Sequence, residues 1–180
     1  MHRLTLLTLL FTSGVVRGSP SFAFESLRLT ESDARAFPAV EFASTRPRRG
    51  EHHNGAPCRA FPGSEDWPLD ADWEQLNSTL GGALLRPSLT PAVCYPGEHY
   101  DADRCSFLVR EAGRNAFWFS DPLSVFSQWP QGSTCMPNLT AVGECTRGAF
   151  PEYVVNATTV KHIQAAVNFA RNKNVRLIIK

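Results

Sequence analysis

The stretch from Phe150 to Lys180 constrains the fold more than any other part of the chain. It opens with Tyr153-Val-Val-Asn-Ala-Thr-Thr159, a short β-branched and aromatic run that reads as a strand. Residues 160–174 then read as a helix. At about 100° per residue, Lys161, Gln164, Asn168, Arg171 and Asn172 share one polar arc. Val160, Ile163, Ala165, Ala166, Val167, Phe169 and Ala170 fill the rest, a pattern that suits packing on a sheet. Thr158 or Thr159 can cap the start, and Asn172 and Asn174 suit a turn at the end. Arg176-Leu-Ile-Ile-Lys180 follows as a second strand, whose continuous apolar run is that of a strand covered on both faces. The expectation is a strand–helix–strand unit, parallel in its pairing.

Such a unit takes a nucleotide when a glycine-rich turn follows a strand, because backbone N–H groups then cradle a pyrophosphate. The sequence contains no GxGxxG and no GxxxxGK[ST]. On physical grounds the best-formed element is a scaffold without its functional loop.

Residues Tyr153 to Thr159, Phe169-Ala170 and Arg176 to Lys180 resemble the opening of a PCMH-type FAD-binding domain. The resemblance is to secreted FAD-linked oxidoreductases of the berberine-bridge-enzyme-like branch of the vanillyl-alcohol-oxidase superfamily. It runs upstream through Cys135-Met-Pro137, Asp121-Pro122, Cys94-Tyr95 and Trp67-Pro68 to Cys58-Arg-Ala-Phe-Pro-Gly63, in the family's order. In that family the second strand enters a Gly-x-Gly-His loop, whose glycines approach the FAD pyrophosphate and whose histidine commonly bonds the flavin. This sequence stops one residue short of that loop, so the resemblance implies a truncated domain and carries no cofactor-binding or catalytic residue onto the chain. For a complete protein it implies FAD as cofactor, a hydride taken from a C–H of a small-molecule substrate, and reoxidation by oxygen. The 180 residues alone are expected to be inactive.

The fold class expected is α+β. Residues 1–23 read as an export signal: His2 and Arg3 precede an apolar core, Leu4 to Val16, too short to span a bilayer. Cleavage suits Gly18 or Ala23. Residues 24–57 show no sustained period and read as a poorly ordered leader, with a short helix near Ser32 to Ala36. That leader holds a dibasic Arg48-Arg49 and the pair His52-His53, both read as solvated surface. Residues 58–148 form a loop-rich, cysteine-bearing segment, and 149–180 the start of the FAD-binding domain. Within 58–148 a helix is expected over Asp70 to Leu80, with Asp70 as cap, Trp73, Leu76 and Leu80 on one face, and Gly81-Gly82 ending it. Ala83 to Leu85 and Phe107 to Val109 read as strands. Phe117-Trp118-Phe119 and Phe126 to Trp129 read as core aromatics rather than a sugar platform.

Cysteines stand at 58, 94, 105, 135 and 145, none in a CxxC, and in an exported chain disulfides outrank metal sites. Pairing Cys94 with Cys105 and Cys135 with Cys145 closes two short loops, each stabilising by roughly 3 kcal/mol in the chain-entropy picture. Cys58 is left free, or pairs outside this chain. Asn77-Ser-Thr, Asn138-Leu-Thr and Asn156-Ala-Thr are N-glycosylation sequons. No catalytic constellation or metal cluster stands out: His162 lies on the apolar arc, and His99 in a Pro-Gly turn. The net charge of +1 argues against nucleic acid or an acidic membrane as partner, and no later stretch is a membrane span. The alternative to a secreted flavoenzyme portion is a stand-alone secreted, disulfide-stapled glycoprotein with a binding role. Such a module should end in a turn or polar tail, whereas this chain ends in an apolar run.

Overall fold

The computed structural model describes residues 22–43, 58–123 and 132–180. Most of the export signal, Arg48-Arg49, His52-His53 and Phe126 to Trp129 lie outside the described residues. The elements run α1 (Ala23–Ser26), α2 (Glu31–Ala36), a 3-10 turn Pro38–Val40, α3 (Asp70–Thr79), β1 (Leu84–Leu85), a 3-10 turn Thr90–Cys94, α4 (Ala102–Glu111), α5 (Asn115–Ser120), β2 (Val154–Val155) and α6 (Val160–Asn172). Among the described residues no helix is long and apolar enough to cross a membrane.

Helix α6 forms where its sequence places it. The Thr159 hydroxyl accepts from His162 N at 3.2 Å, which satisfies one of the free first-turn donors. Asn174 ends the helix at φ 56°, a left-handed conformation that asparagine tolerates. Phe169, Ala165 and Ala170 point into the core. Phe169 and Ala165 meet Trp73 and Leu76 of α3 and Leu80 just beyond it, and the Lys173 ammonium joins Asp72 of α3 at 2.8 Å. Leu69, one residue before the expected Asp70, caps α3, and its N–H donates to the Asp72 carboxylate at 3.1 Å. Acidic Asp70 and Asp72 then lie in the first turn, where the helix dipole favours them.

The expected parallel strand–helix–strand unit is not what forms. β2 pairs antiparallel with β1, Leu84 opposite Val155 and Leu85 opposite Val154. After α6 the chain makes one isolated parallel bridge, Val175 to Ala60, with Ala60 N donating to Asn174 O at 3.0 Å. Arg176 to Lys180 is not a strand, and Ile179 is 81% exposed. The physical reason is that a strand needs a paired edge and a covered face, and the described residues supply neither there. Phe107 to Val109 likewise belongs to α4 and not to a strand. The Asp101 carboxylate caps that helix by accepting Arg104 N at 2.9 Å, and Cys105 and Leu108 share its buried face.

The largest correction concerns the leader. Residues 24–43 of the leader form a strap along α6, with the short helix expected near Ser32 to Ala36 present as α2, while 44–57 lie outside the described residues. Leu29, Phe37 and Val40 enter the main core beside Phe169. The polar arc of α6 faces this strap. Lys161 Nζ meets Asp33 at 2.8 Å, Gln164 Oε1 accepts from Leu29 N at 2.9 Å, and Asn172 Nδ2 donates to Ala39 O at 3.0 Å. The Lys161 ammonium and the Thr30 N–H hold the Asp33 carboxyl down at about 2. Asn168 is 3% exposed, and its Nδ2 donates to Val40 O at 3.0 Å. Asn168→Ala strands that buried carbonyl and is expected to lower the unfolding free energy by about 1–3 kcal/mol. A urea midpoint within error of the parent would show that the strap is not held there.

Candidate functional site

The one strand-to-helix turn among the described residues that could present free backbone N–H groups to a phosphate lies between the end of β2 and the start of α6. The connection is Asn156-Ala-Thr-Thr159, without glycine. Three of the first N–H groups of α6 are already engaged. Lys161 N donates to Leu27 O at 2.8 Å, His162 N to the Thr159 hydroxyl, and Ile163 N to Thr159 O at 3.4 Å. A phosphate would have to displace the strap and the cap together. The β2–α6 connection therefore offers no open phosphate cradle.

His162 is half-buried, and its Nδ1 accepts Thr158 N at 3.2 Å. It acts as a second, local cap, as a satisfied histidine. His99 borders a groove of ≈ 490 Å³ with Ser88, Thr90, Asp101 and Arg104. Asp101 there is spent on capping α4, and among the described residues no group of three or more His, Cys, Asp or Glu could hold a metal.

Sequence reasoning missed a buried polar knot where α5 ends. Asp121 is 7% exposed; its carboxylate accepts the Thr90 hydroxyl and, at 2.8 Å, Leu123 N. Lys180 Nζ donates to the carbonyls of Trp118, at 3.2 Å, and Asp121. This ties the end of the apolar run to the cysteine-bearing segment. Asp121-Pro122 is a turn signal in the sequence, but nothing local announces a partner 59 residues away.

The disulfides are Cys94–Cys105, with Cα atoms 4.9 Å apart, and Cys135–Cys145, 4.5 Å apart, the pairing expected from the short spacings. Cys58 is free and exposed. Trp118 is buried, and its Nε1 donates to Ala112 O at 2.7 Å, as a core aromatic should; neighbouring Phe119 is exposed.

The sequon asparagines differ. Asn138 is exposed in a turn, its Oδ1 accepting Thr140 N at 3.0 Å and the Thr140 hydroxyl at 3.1 Å. Asn156 is exposed at the end of β2. Asn77 is half-buried on α3, and its Oδ1 accepts Leu84 N at 3.1 Å. It borders a groove of ≈ 370 Å³ with Asp70, Glu74, Arg86 and Tyr153. Tyr153 stacks on Trp73 with centroids 4.0 Å apart, and burial lifts its phenol above the ordinary value. Arg86 and Arg147 both pair with Glu152, at 2.7 and 2.9 Å.

No protein-family model matches the chain. It is 38% identical over 133 residues to the VAO-type flavoprotein oxidase VAO615 of Thermothelomyces thermophilus, a match covering 72% of this chain and 23% of that protein. It is 34% identical over 144 residues to the FAD-linked oxidoreductase sor8 of Hypocrea jecorina, covering 79% of this chain and 25% of that one. The crystal structure of the VAO-type flavoprotein MtVAO615 from Myceliophthora thermophila C1 superposes with a TM-score of 0.63 at 36% identity, over 69% of this chain and 23% of that one. MtVAO713 from the same organism superposes at 0.60 and 35% identity, over 67% and 22%. The chain thus spans about a quarter of the length of the curated relatives it matches.

Proposed function

We propose, from homologues that are VAO-type flavoprotein oxidases and FAD-linked oxidoreductases, that this chain is the N-terminal portion of a secreted FAD-dependent oxidoreductase. The observation that carries the reading is the superposition on a VAO-type flavoprotein at a TM-score of 0.63 and 36% identity, with only 23% of that protein covered. The reaction class is the family's: a hydride leaves a C–H of a small-molecule substrate for FAD, and oxygen takes the electrons. No residue of this chain is assigned a part in it. The 180 residues carry the strap, the disulfide-bearing segment and one helix of the flavin domain, and contain no Gly-x-Gly-His.

Exposed apolar groups support the reading of a portion. Ile163 and Val167 on α6 and Leu177, Ile178 and Ile179 after it lie open, a larger apolar display than a self-sufficient surface needs. Export is supported by the apolar Leu4 to Val16 core, the sequons and the disulfides, which persist in oxidising compartments. With no phosphate cradle, the isolated chain is expected to carry no flavin. The check is the flavin absorbance of the chain purified after oxidative expression with added FAD; a stoichiometric flavin spectrum would refute the expectation that the isolated chain binds none.

A further inference from the structure

We propose that the groove between α3 and the β1–β2 ribbon seats an N-linked glycan carried by Asn77. The inference rests on the export reading above and deepens it. Asp70, Glu74 and Asn77 are spaced i, i+4 and i+7, so one face of α3 presents all three to the groove. The opposite wall is Leu84, Arg86 and Tyr153.

Two observations single out Asn77. Its Oδ1 is fixed by Leu84 N at 3.1 Å, which sets the plane of the amide. Its Nδ2, the atom that would carry the sugar, donates to no group among the described residues, and the side chain lines the groove. A sugar attached there starts inside the groove. Asn138 is the contrast: it is exposed in an open turn that borders neither groove.

The walls match a pyranose. Tyr153, backed by Trp73, gives an apolar surface for sugar C–H groups. The Asp70 and Glu74 carboxylates accept from hydroxyls. Arg86, held by Glu152 at 2.7 Å and lying 5.5 Å from the Tyr153 ring centroid, donates to ring and acetamido oxygens. The groove volume of ≈ 370 Å³ falls in the range of small-ligand sites, about 300–1,000 Å³. Tethering through Nδ2 removes most of the translational cost of binding, so modest contacts suffice to hold the sugar.

Attachment has to precede folding of α3, because the sequon hydroxyl of Thr79 donates to Gln75 O at 2.9 Å within the helix. The step is the transfer of an oligosaccharide from a lipid pyrophosphate carrier. The Nδ2–C1 bond forms, the C1–O bond to the carrier breaks, and the Nδ2 proton leaves with the carrier phosphate.

The test uses the full chain secreted from a eukaryotic host that makes high-mannose glycans. Peptide mass spectrometry reads occupancy at Asn77, Asn138 and Asn156, and a high-mannose endoglycosidase is then applied to the native protein. The Asn77 glycan is expected to be released at least about tenfold more slowly than the Asn138 glycan. Denaturation should abolish the difference. Glu74→Ala and Arg86→Ala, both on the protein's outer face, should each narrow it without unfolding the chain. Equal native release rates, an unmodified Asn77 beside occupied Asn138 and Asn156, or no effect of either substitution would overturn the proposal while leaving export intact. If all three sequons are empty, the export reading fails with it.

Discussion

Phe169→Ala is expected to lower the unfolding free energy by about 3–5 kcal/mol. Phe169 is 2% exposed at the point where three segments distant in sequence meet. Its ring lies 6.0 Å from Phe37 of the strap and 4.9 Å from Trp73 of α3, centroid to centroid. Truncation removes the ring from the strap and from α3 at once and leaves a cavity between them. The control is Ile163→Ala on the same helix. Ile163 is 52% exposed and should change stability by no more than about 0.5 kcal/mol. Urea midpoints for the two variants separate the possibilities. A Phe169→Ala midpoint no lower than that of Ile163→Ala would mean that α6 is not the centre of the core.

Removing the Cys135–Cys145 bond is expected to cost about 3 kcal/mol through release of the loop it closes. The two cysteines are 10 residues apart, and Cys135 is fully buried against Leu89, Leu123 and Phe150. The loop has little regular structure of its own to hold it. Beyond the disulfide, the Tyr95 hydroxyl grips the backbone of Met136, accepting from its N–H at 3.0 Å and donating to its carbonyl at 3.2 Å. The double substitution Cys135→Ala with Cys145→Ala removes the bond without burying a hydroxyl. It should lower the urea midpoint, and reduction of the parent chain should lower it further, because Cys94–Cys105 is cut as well. An unchanged midpoint on reduction would show that the disulfides bear no load.

What the sequence made legible was local. Thr159 as a cap, the Trp73–Leu76–Leu80 face of α3 and the two short-loop disulfides each depend on residues within about a dozen positions of one another. What it hid was distant. The polar arc of α6 gave no sign of what it meets, because its partners, Leu27 to Glu41, lie well over a hundred residues upstream. One local signal was available: Thr30 and Asp33 form a reciprocal cap, Asp33 N on the Thr30 hydroxyl at 3.1 Å and Thr30 N on the Asp33 carboxylate at 2.9 Å. The buried Asp121 knot also escaped notice, since Thr90 and Lys180 reach it from opposite directions in sequence. Leu177-Ile-Ile misled by composition. Three apolar residues raise the propensity for a strand, but a strand also needs a neighbour, and none of the described residues pairs with these.

The central claim is that these residues are the front of a longer flavoprotein. The native transcript immediately past the Lys180 codon tests it most directly. The account predicts an open frame that runs on into a Gly-x-Gly-His loop. A stop codon at that position in the mature transcript would contradict it.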